Sequence, residues 1–248
     1  MRRKIRGIFL MVICLCSIMQ IPVQAGETVN EEKEGKTITI SGDLENPDSY
    51  SEKVLELMNN EDIFEVVVID PTIVEEEEID KDTNRVKEKL KDCLTREDDI
   101  MPFGGPTYYR YRVTNVRNGN DYTGTSKIAT VSGTPGMTIS ISKTKTIGRT
   151  YSVTAGTVSK SQINAAVGYS VSGSDSISIS GSYKVPKKYN GRNVKSASLD
   201  AYVIYKTKNF TVQRRKVQNV LQFPWTDYGS GYSRKPYGIS FRKTCTYK

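Results

Sequence analysis

Residues 174–186, SDSISISGSYKVP, alternate almost without a break: Ile177, Ile179, Tyr183 and Val185 hold one parity, and Ser176, Ser178, Ser180 and Ser182 hold the other. Side chains on a strand point to opposite faces in turn, so this stretch reads as a strand with one apolar face and one polar, uncharged face. The same rule governs most of the chain beyond residue 108. Tyr109, Tyr111 and Val113 alternate with Arg110, Arg112 and Thr114. Ile139 and Ile141 oppose Ser140, Ser142 and Thr144, and Tyr151, Val153 and Ala155 oppose Thr150, Ser152 and Thr154. Val167, Tyr169 and Val171 predict a further strand over 167–172, and the apolar run 198–213 predicts a central one; only 159–166 reads as a helical turn. Many short strands at close spacing predict a mainly β fold, an antiparallel β-sandwich or an elongated sheet, rather than a βαβ fold.

The segment before this β region has another character. KTITI (36–40) and IFEVVVID (63–70) read as strands, and a helix capped by Ser49 or Ser51 would carry Val54, Leu55, Leu57 and Met58 between them. Asp70-Pro71 suits the start of a second helix through 75–94. The expectation is a small N-terminal α/β lobe over 26–101, a linker at 102–107 with its clustered glycines and prolines, and a Ser/Thr-rich β domain over 108–248. Asp80, Asp82 and Asn84 begin like a calcium loop. Arg85 stands where that loop needs glycine and Lys91 where it needs a bidentate glutamate, so no metal is expected there.

The chain begins with a basic cluster, Arg2, Arg3, Lys4 and Arg6, followed by the apolar run 8–19 and small residues near 25. This is the pattern of a bacterial-type secretory signal peptide over 1–25, and it predicts a secreted protein. Beyond it two cysteines remain, Cys93 and Cys245, and in an oxidising compartment the expectation is that they form a disulfide.

Charge divides the two regions sharply. Residues 26–101 hold 24 acidic and 9 basic side chains, net −15, whereas residues 102–248 hold 4 acidic and 23 basic, net +19. Such asymmetry predicts an acidic lobe that pairs with the basic one within the chain and acts as a masking prosegment, or a basic module meant for a polyanion. Secretion argues against nucleic acid as that polyanion. An anionic membrane or cell-wall polymer fits better.

Between 138 and 185, 18 of 48 residues are Ser or Thr, arranged around the small-residue centre VSKSQINAAVGYSV and followed by Val185-Pro186 and another long strand. In this order of serine- and threonine-rich amphipathic strands, about residues 107–213, the chain resembles the aerolysin-like (epsilon-toxin-type) β-pore-forming proteins. The resemblance implies a secreted β-rich protein that forms a homo-oligomer on membranes and inserts a hairpin from each protomer. Ile139, Ile141, Ile177 and Ile179 would then lie on the insertion strands. Read from the residues alone, 138–146 and 175–185 are each long enough to cross a bilayer as strands. Lys143 and Lys145, however, share parity with Ile139 and Ile141, and a surface sandwich strand holds such lysines more cheaply than a lipid-facing one.

The C-terminal stretch interleaves rings with cations. Arg214, Arg215, Lys216, Arg234, Lys235, Arg242 and Lys243 accompany Trp225, Tyr228 and Tyr232. Amphipathic rings beside cations suit a membrane interface or an anionic polymer, and these ten residues are the candidate binding set. Catalysis is not expected. The chain has no histidine, which removes Ser-His-Asp, Cys-His and histidine-metal chemistry, and the basic region's only carboxylates are Asp121, Asp175, Asp200 and Asp227, with no spaced acid pair. No cofactor is implied. The functional expectation is a non-enzymatic, cationic surface-binding protein, a pore-forming or antibacterial effector; the alternative is a structural or adhesion protein of the cell envelope.

Overall fold

Two long antiparallel strands form the frame of the molecule. The computed structural model describes residues 35–73, 107–154, 158–219 and 221–248. In chain order these comprise β1 (Lys36–Ser41), α1 (Ser51–Met58), β2 (Ile63–Ile69), β3 (Thr107–Asn118), β4 (Tyr122–Thr123), β5 (Ala129–Gly133), β6 (Thr138–Gly148), β7 (Thr150–Val153), α2 (Lys160–Val167), β8 (Ser174–Lys184), β9 (Lys188–Tyr189), β10 (Arg192–Gln218), β11 (Leu221–Gln222) and β12 (Thr226–Tyr247). The expected signal peptide, the expected helix over 75–94, Cys93 and most of the expected linker lie outside the described residues.

The expected mainly β class is the one observed. β10 and β12, of 27 and 22 residues, pair antiparallel from Val194 opposite Tyr247 to Arg214 opposite Thr226. Three register shifts interrupt the ladder, and Pro236 sits at the one between Ile204 and Tyr205. Proline cannot donate to a ladder, so a bulge is where a long strand can hold one. Along its other edge β10 collects β3, β4, β5 and β9, while β11 lies on the β12 edge beyond Arg214. β12 binds β2 along Gly238–Arg242 and β7 along Gly231–Arg234.

Residues 36–73 are part of this sheet. β1 and β2 are parallel neighbours joined through α1, the crossover that parallel strands require. β2 then continues antiparallel onto β12. Val54, Met58, Val66 and Val68 are fully buried in the same apolar cluster as Leu199, Ile239 and Phe241. The described residues fall in one compact unit, so the acidic residues of 36–73 do not form a detachable lobe. Removing them would strip two strands and expose a core that the basic region shares.

The two-stranded β6–β8 ladder, an open hairpin whose strands are joined through β7 and α2, lies over one face of the sheet as a second layer. Ile139, Ile141, Ile177 and Ile179 all turn inward and are buried, as are Ile147 and Tyr183. The contact is close: a Cβ on Gly181 would come within 2.7 Å of the Phe241 ring. The hydroxyls pair across the ladder as Ser140–Ser182, Ser142–Ser180, Thr144–Ser178 and Thr146–Ser176. β8 is tied along its length to the N-terminal segment. Ser178 N donates to Leu44 O at 2.9 Å, Tyr50 Oη donates to Ser178 O at 2.5 Å and accepts from Ser180 N, and Lys184 N donates to Asn59 Oδ1 at 3.0 Å. Burial pushes the Tyr50 hydroxyl up to about 12.

One sequence expectation changes. Residues 167–172 are not a strand. Helix α2 runs to Val167, opened by a capping box between Ser159 and Gln162 and closed by Gly168 at φ 87°, a left-handed conformation that glycine takes without strain. Val167, Tyr169 and Val171 matched a two-residue period only because the helix end and the following turn both face a second apolar cluster, around Phe210 and Val212. Of the expected Cys93–Cys245 pair, Cys245 is a free thiol among the described residues, and Cys93 lies outside them. Cys245 lies half-buried with its sulfur 3.8 Å from Tyr183 Oη, and burial raises its pKa.

Candidate surface-binding site

At the far end of β10 and β12, β3 completes a three-stranded tip. Its composition follows from the alternation YRYRV on β3 and the run QRRKV on β10, neither of which has a small or plainly apolar face. Register sets Tyr111 opposite Arg214, Arg110 opposite Arg215 and Tyr109 opposite Lys216. One face therefore carries Tyr109, Tyr111, Arg214 and Lys216, and the other carries Arg110, Arg112, Gln213 and Arg215.

Both faces pair cations with rings. The Trp225 ring has two guanidinium partners, with Arg112 Cζ at 4.3 Å and Arg215 Cζ at 4.6 Å from its centroid. Arg214 lies 4.2 Å from Tyr228 and 5.2 Å from Tyr109, and the Tyr228 ring in turn meets Tyr111 at 5.6 Å. Lys216 lies 5.4 Å from Phe223, whose backbone N–H donates to Lys216 O. Each exposed pair of this kind contributes about 0.5–1 kcal/mol, enough to hold like-charged side chains side by side. Among the described residues a single carboxylate, Asp227, accompanies Arg110, Arg112, Arg214, Arg215 and Lys216. It accepts from Gln213 Nε2 at 2.8 Å, while Gln213 Oε1 accepts from Arg112 Nε and Nη2.

Exposure singles out the same place. Tyr108, Tyr109, Leu221, Phe223 and Tyr228 are 41–64% exposed, and the other large exposed apolar side chains are only Met137 and Tyr247 among the described residues. Large rings left in water beside clustered cations are the composition of an interfacial contact surface.

Of the ten residues expected to bind, the structure gathers Arg214, Arg215, Lys216, Trp225 and Tyr228 at the tip. Tyr232 and Arg234 lie farther along β12, where Arg234 Cζ stacks 3.7 Å from the Tyr122 centroid and 4.4 Å from that of Tyr232. Arg242 lies near the other end of the sheet, 3.0 Å from Glu65 Oε1, which also accepts from Ser240 Oγ.

Lys235 and Lys243 are not surface cations. Lys243 is 3% exposed, and its ammonium donates to Met58 O at 3.0 Å and Asn60 O at 2.6 Å. It thereby satisfies carbonyls at the C-terminal end of α1, where the helix dipole favours a cation. Burial lowers its pKa to about 8. Lys208 does the same for α2 through Val167 O at 2.7 Å. Lys235 is 8% exposed beneath Tyr169.

The tip also includes Tyr108, Tyr109, Arg110, Tyr111, Arg112 and Phe223, which were not in the expected set. The signal was present in YRYR, where tyrosine and arginine alternate and neither face is suited to a core. Neither the known protein-family models nor the curated proteins match the chain.

Proposed function

We propose that the protein is a non-enzymatic, secreted binder of anionic surfaces, and that the three-stranded tip makes the contact. The observation that carries this reading is the coincidence, among the described residues at one end of the sheet, of five cations, one carboxylate and most of the exposed aromatic side chains. Cations draw the tip to a negative surface, at about 1 kcal/mol per Lys or Arg near it, and the rings then settle at the headgroup level. Residues 36–73 act here as a structural wing of the sheet and not as a removable mask. Vesicle flotation tests the reading with the full mature chain, comparing neutral phosphatidylcholine vesicles with vesicles containing phosphatidylglycerol. Binding that needs the anionic lipid, weakens with salt and falls in Trp225→Ala supports it. Equal recovery with both vesicle types, or an unchanged W225A, refutes it.

The resemblance to β-pore-forming proteins adds a narrower reading, in which binding leads to oligomers and to release of the β6–β8 hairpin. What favours it is the form of that hairpin, an apolar row of isoleucines backed by a face of paired hydroxyls. Dye release from the same vesicles is the measurement. Its absence from vesicles that bind the protein would leave surface binding, and the role of an envelope or adhesion protein, in place.

A further inference from the structure

We infer that the cleft between the tip and the middle of the sheet binds an anionic saccharide unit, a sugar ring bearing a carboxylate or a sulfate. The inference deepens the surface-binding reading by naming the polymer chemistry that the protein would meet, and it is tested separately from the tip.

The cleft has a volume of about 320 Å³ and sits where β3, β10, β12 and β7 lie side by side. That is at the lower end of the range, about 300–1,000 Å³, of small-molecule sites. Register builds its floor. Arg117 lies opposite Asn209, Asn209 opposite Tyr232, and Tyr232 opposite Ser152, so one row of four side chains crosses four strands on a single face. Thr211 and Ser230 form the next row. Asn115 borders the cleft at the register shift between Asn209 and Thr211, with φ 53°. A bulge re-aims the side chain it carries, and a non-glycine residue in this left-handed region is held there by its surroundings.

The lining is selective in kind. It offers two amides, several hydroxyls, one tyrosine ring and one guanidinium, and no carboxylate. Amides donate and accept at once, as the neighbouring hydroxyls of a sugar do, while the face of a ring suits the C–H side of a pyranose. Arg117 has no ion pair among the described residues. Arg234, stacked on Tyr232, has a buried Nε with no hydrogen-bond partner. The Arg117 guanidinium in the lining, with Arg234 one row farther along β12, favours a carboxylate or sulfate on the sugar, because a guanidinium binds either in a bidentate fork.

Calorimetric titration of the full mature chain with glucuronic acid, a heparin-derived disaccharide, glucose and sodium sulfate tests the assignment. The acidic sugars should bind, with glucose and sulfate each about tenfold weaker or more, and Arg117→Gln should lower acidic-sugar affinity about tenfold. Asn209→Asp, which sets a carboxylate in the row, should lower it at least as much. Both positions are exposed, so neither change disturbs the core. Trp225→Ala should leave sugar binding intact while reducing vesicle binding, and R117Q should do the reverse. Absence of sugar binding by the unaltered chain, sulfate binding as tight as glucuronate, or R117Q binding like the parent would overturn the saccharide site. Loss of vesicle binding alone would overturn only the surface reading.

Discussion

The two ends of the β10–β12 ribbon treat positive charge in opposite ways. Near the Val194–Tyr247 end three cations have oxygen partners: Arg242 has Glu65, Lys127 has Asp200, which also accepts from Thr130, and Lys243 has Met58 O and Asn60 O at the end of α1. At the tip, cations rest on rings, and Asp227 is the carboxylate beside them among the described residues. The first arrangement serves folding and the second leaves electrostatic demand unmet. An unmet demand of this kind at a solvated tip is more easily explained by a partner outside the molecule than by the stability of the fold.

That contrast can be broken from either side. The largest effect should come from the core shared by β12 and the hairpin. Phe241→Ala should cost about 3–5 kcal/mol of unfolding free energy by chemical denaturation, with vesicle binding per folded molecule unchanged. Changing Gly181 to alanine at the same contact should cost about 1–3 kcal/mol, because its Cβ would press on the Phe241 ring.

Next in size is a pH effect confined to the oxygen-paired end. The Lys243 pKa is lowered to about 8, so between pH 8 and about 10 the unfolded chain holds a proton that the folded one has released, and stability should rise by about 2 kcal/mol. Above pH 10 the sign reverses. Tyr50, held up at about 12, together with Tyr183 and Tyr237, which are also raised, keeps its proton when folded and loses it when unfolded. Lys243→Met should flatten the rise and leave the fall, as read from melting curves across this range.

At the tip the pattern should invert. Arg214→Gln combined with Arg215→Gln should weaken binding to phosphatidylglycerol vesicles about tenfold or more while changing stability by no more than about 1 kcal/mol. The smallest effect sharpens the boundary between the two ends. Gly168→Ala, at φ 87°, should cost about 1 kcal/mol by straining the end of α2, without altering either binding activity.

Much of this architecture was legible from the chain itself. Strands β1, β2, β6 and β8 and helix α1 followed from periodicity, because each has one buried face and the alternation records it. The tip was half legible: QRRKV and Trp225 stood out as charge and aromaticity, but YRYR on β3 reads as an ordinary strand until register brings it beside Arg214 and Arg215. Lys235 and Lys243 were misread for the converse reason. A lysine in a strand looks exposed, and only the tertiary placement of a helix end reveals its carbonyl partners. Residues 167–172 failed because a helix C-terminus and a turn placed apolar side chains at a spacing of two. The charge break at residue 101 suggested two lobes, yet the apolar content of β1, α1 and β2 determined their place within the sheet.

The length of β10 has an electrical consequence. At about 3.3 Å per residue, Ala201, beside the level where β2 joins the sheet, and Arg215, at the tip, are separated by roughly 45 Å of strand. Counter-ions in physiological saline extinguish a field within about 8 Å. Glu65 on β2 and the flanking Asp62 and Asp70 are thus too remote to dim the potential that an approaching surface would meet at the tip, and both signs can coexist on one ribbon without cancelling.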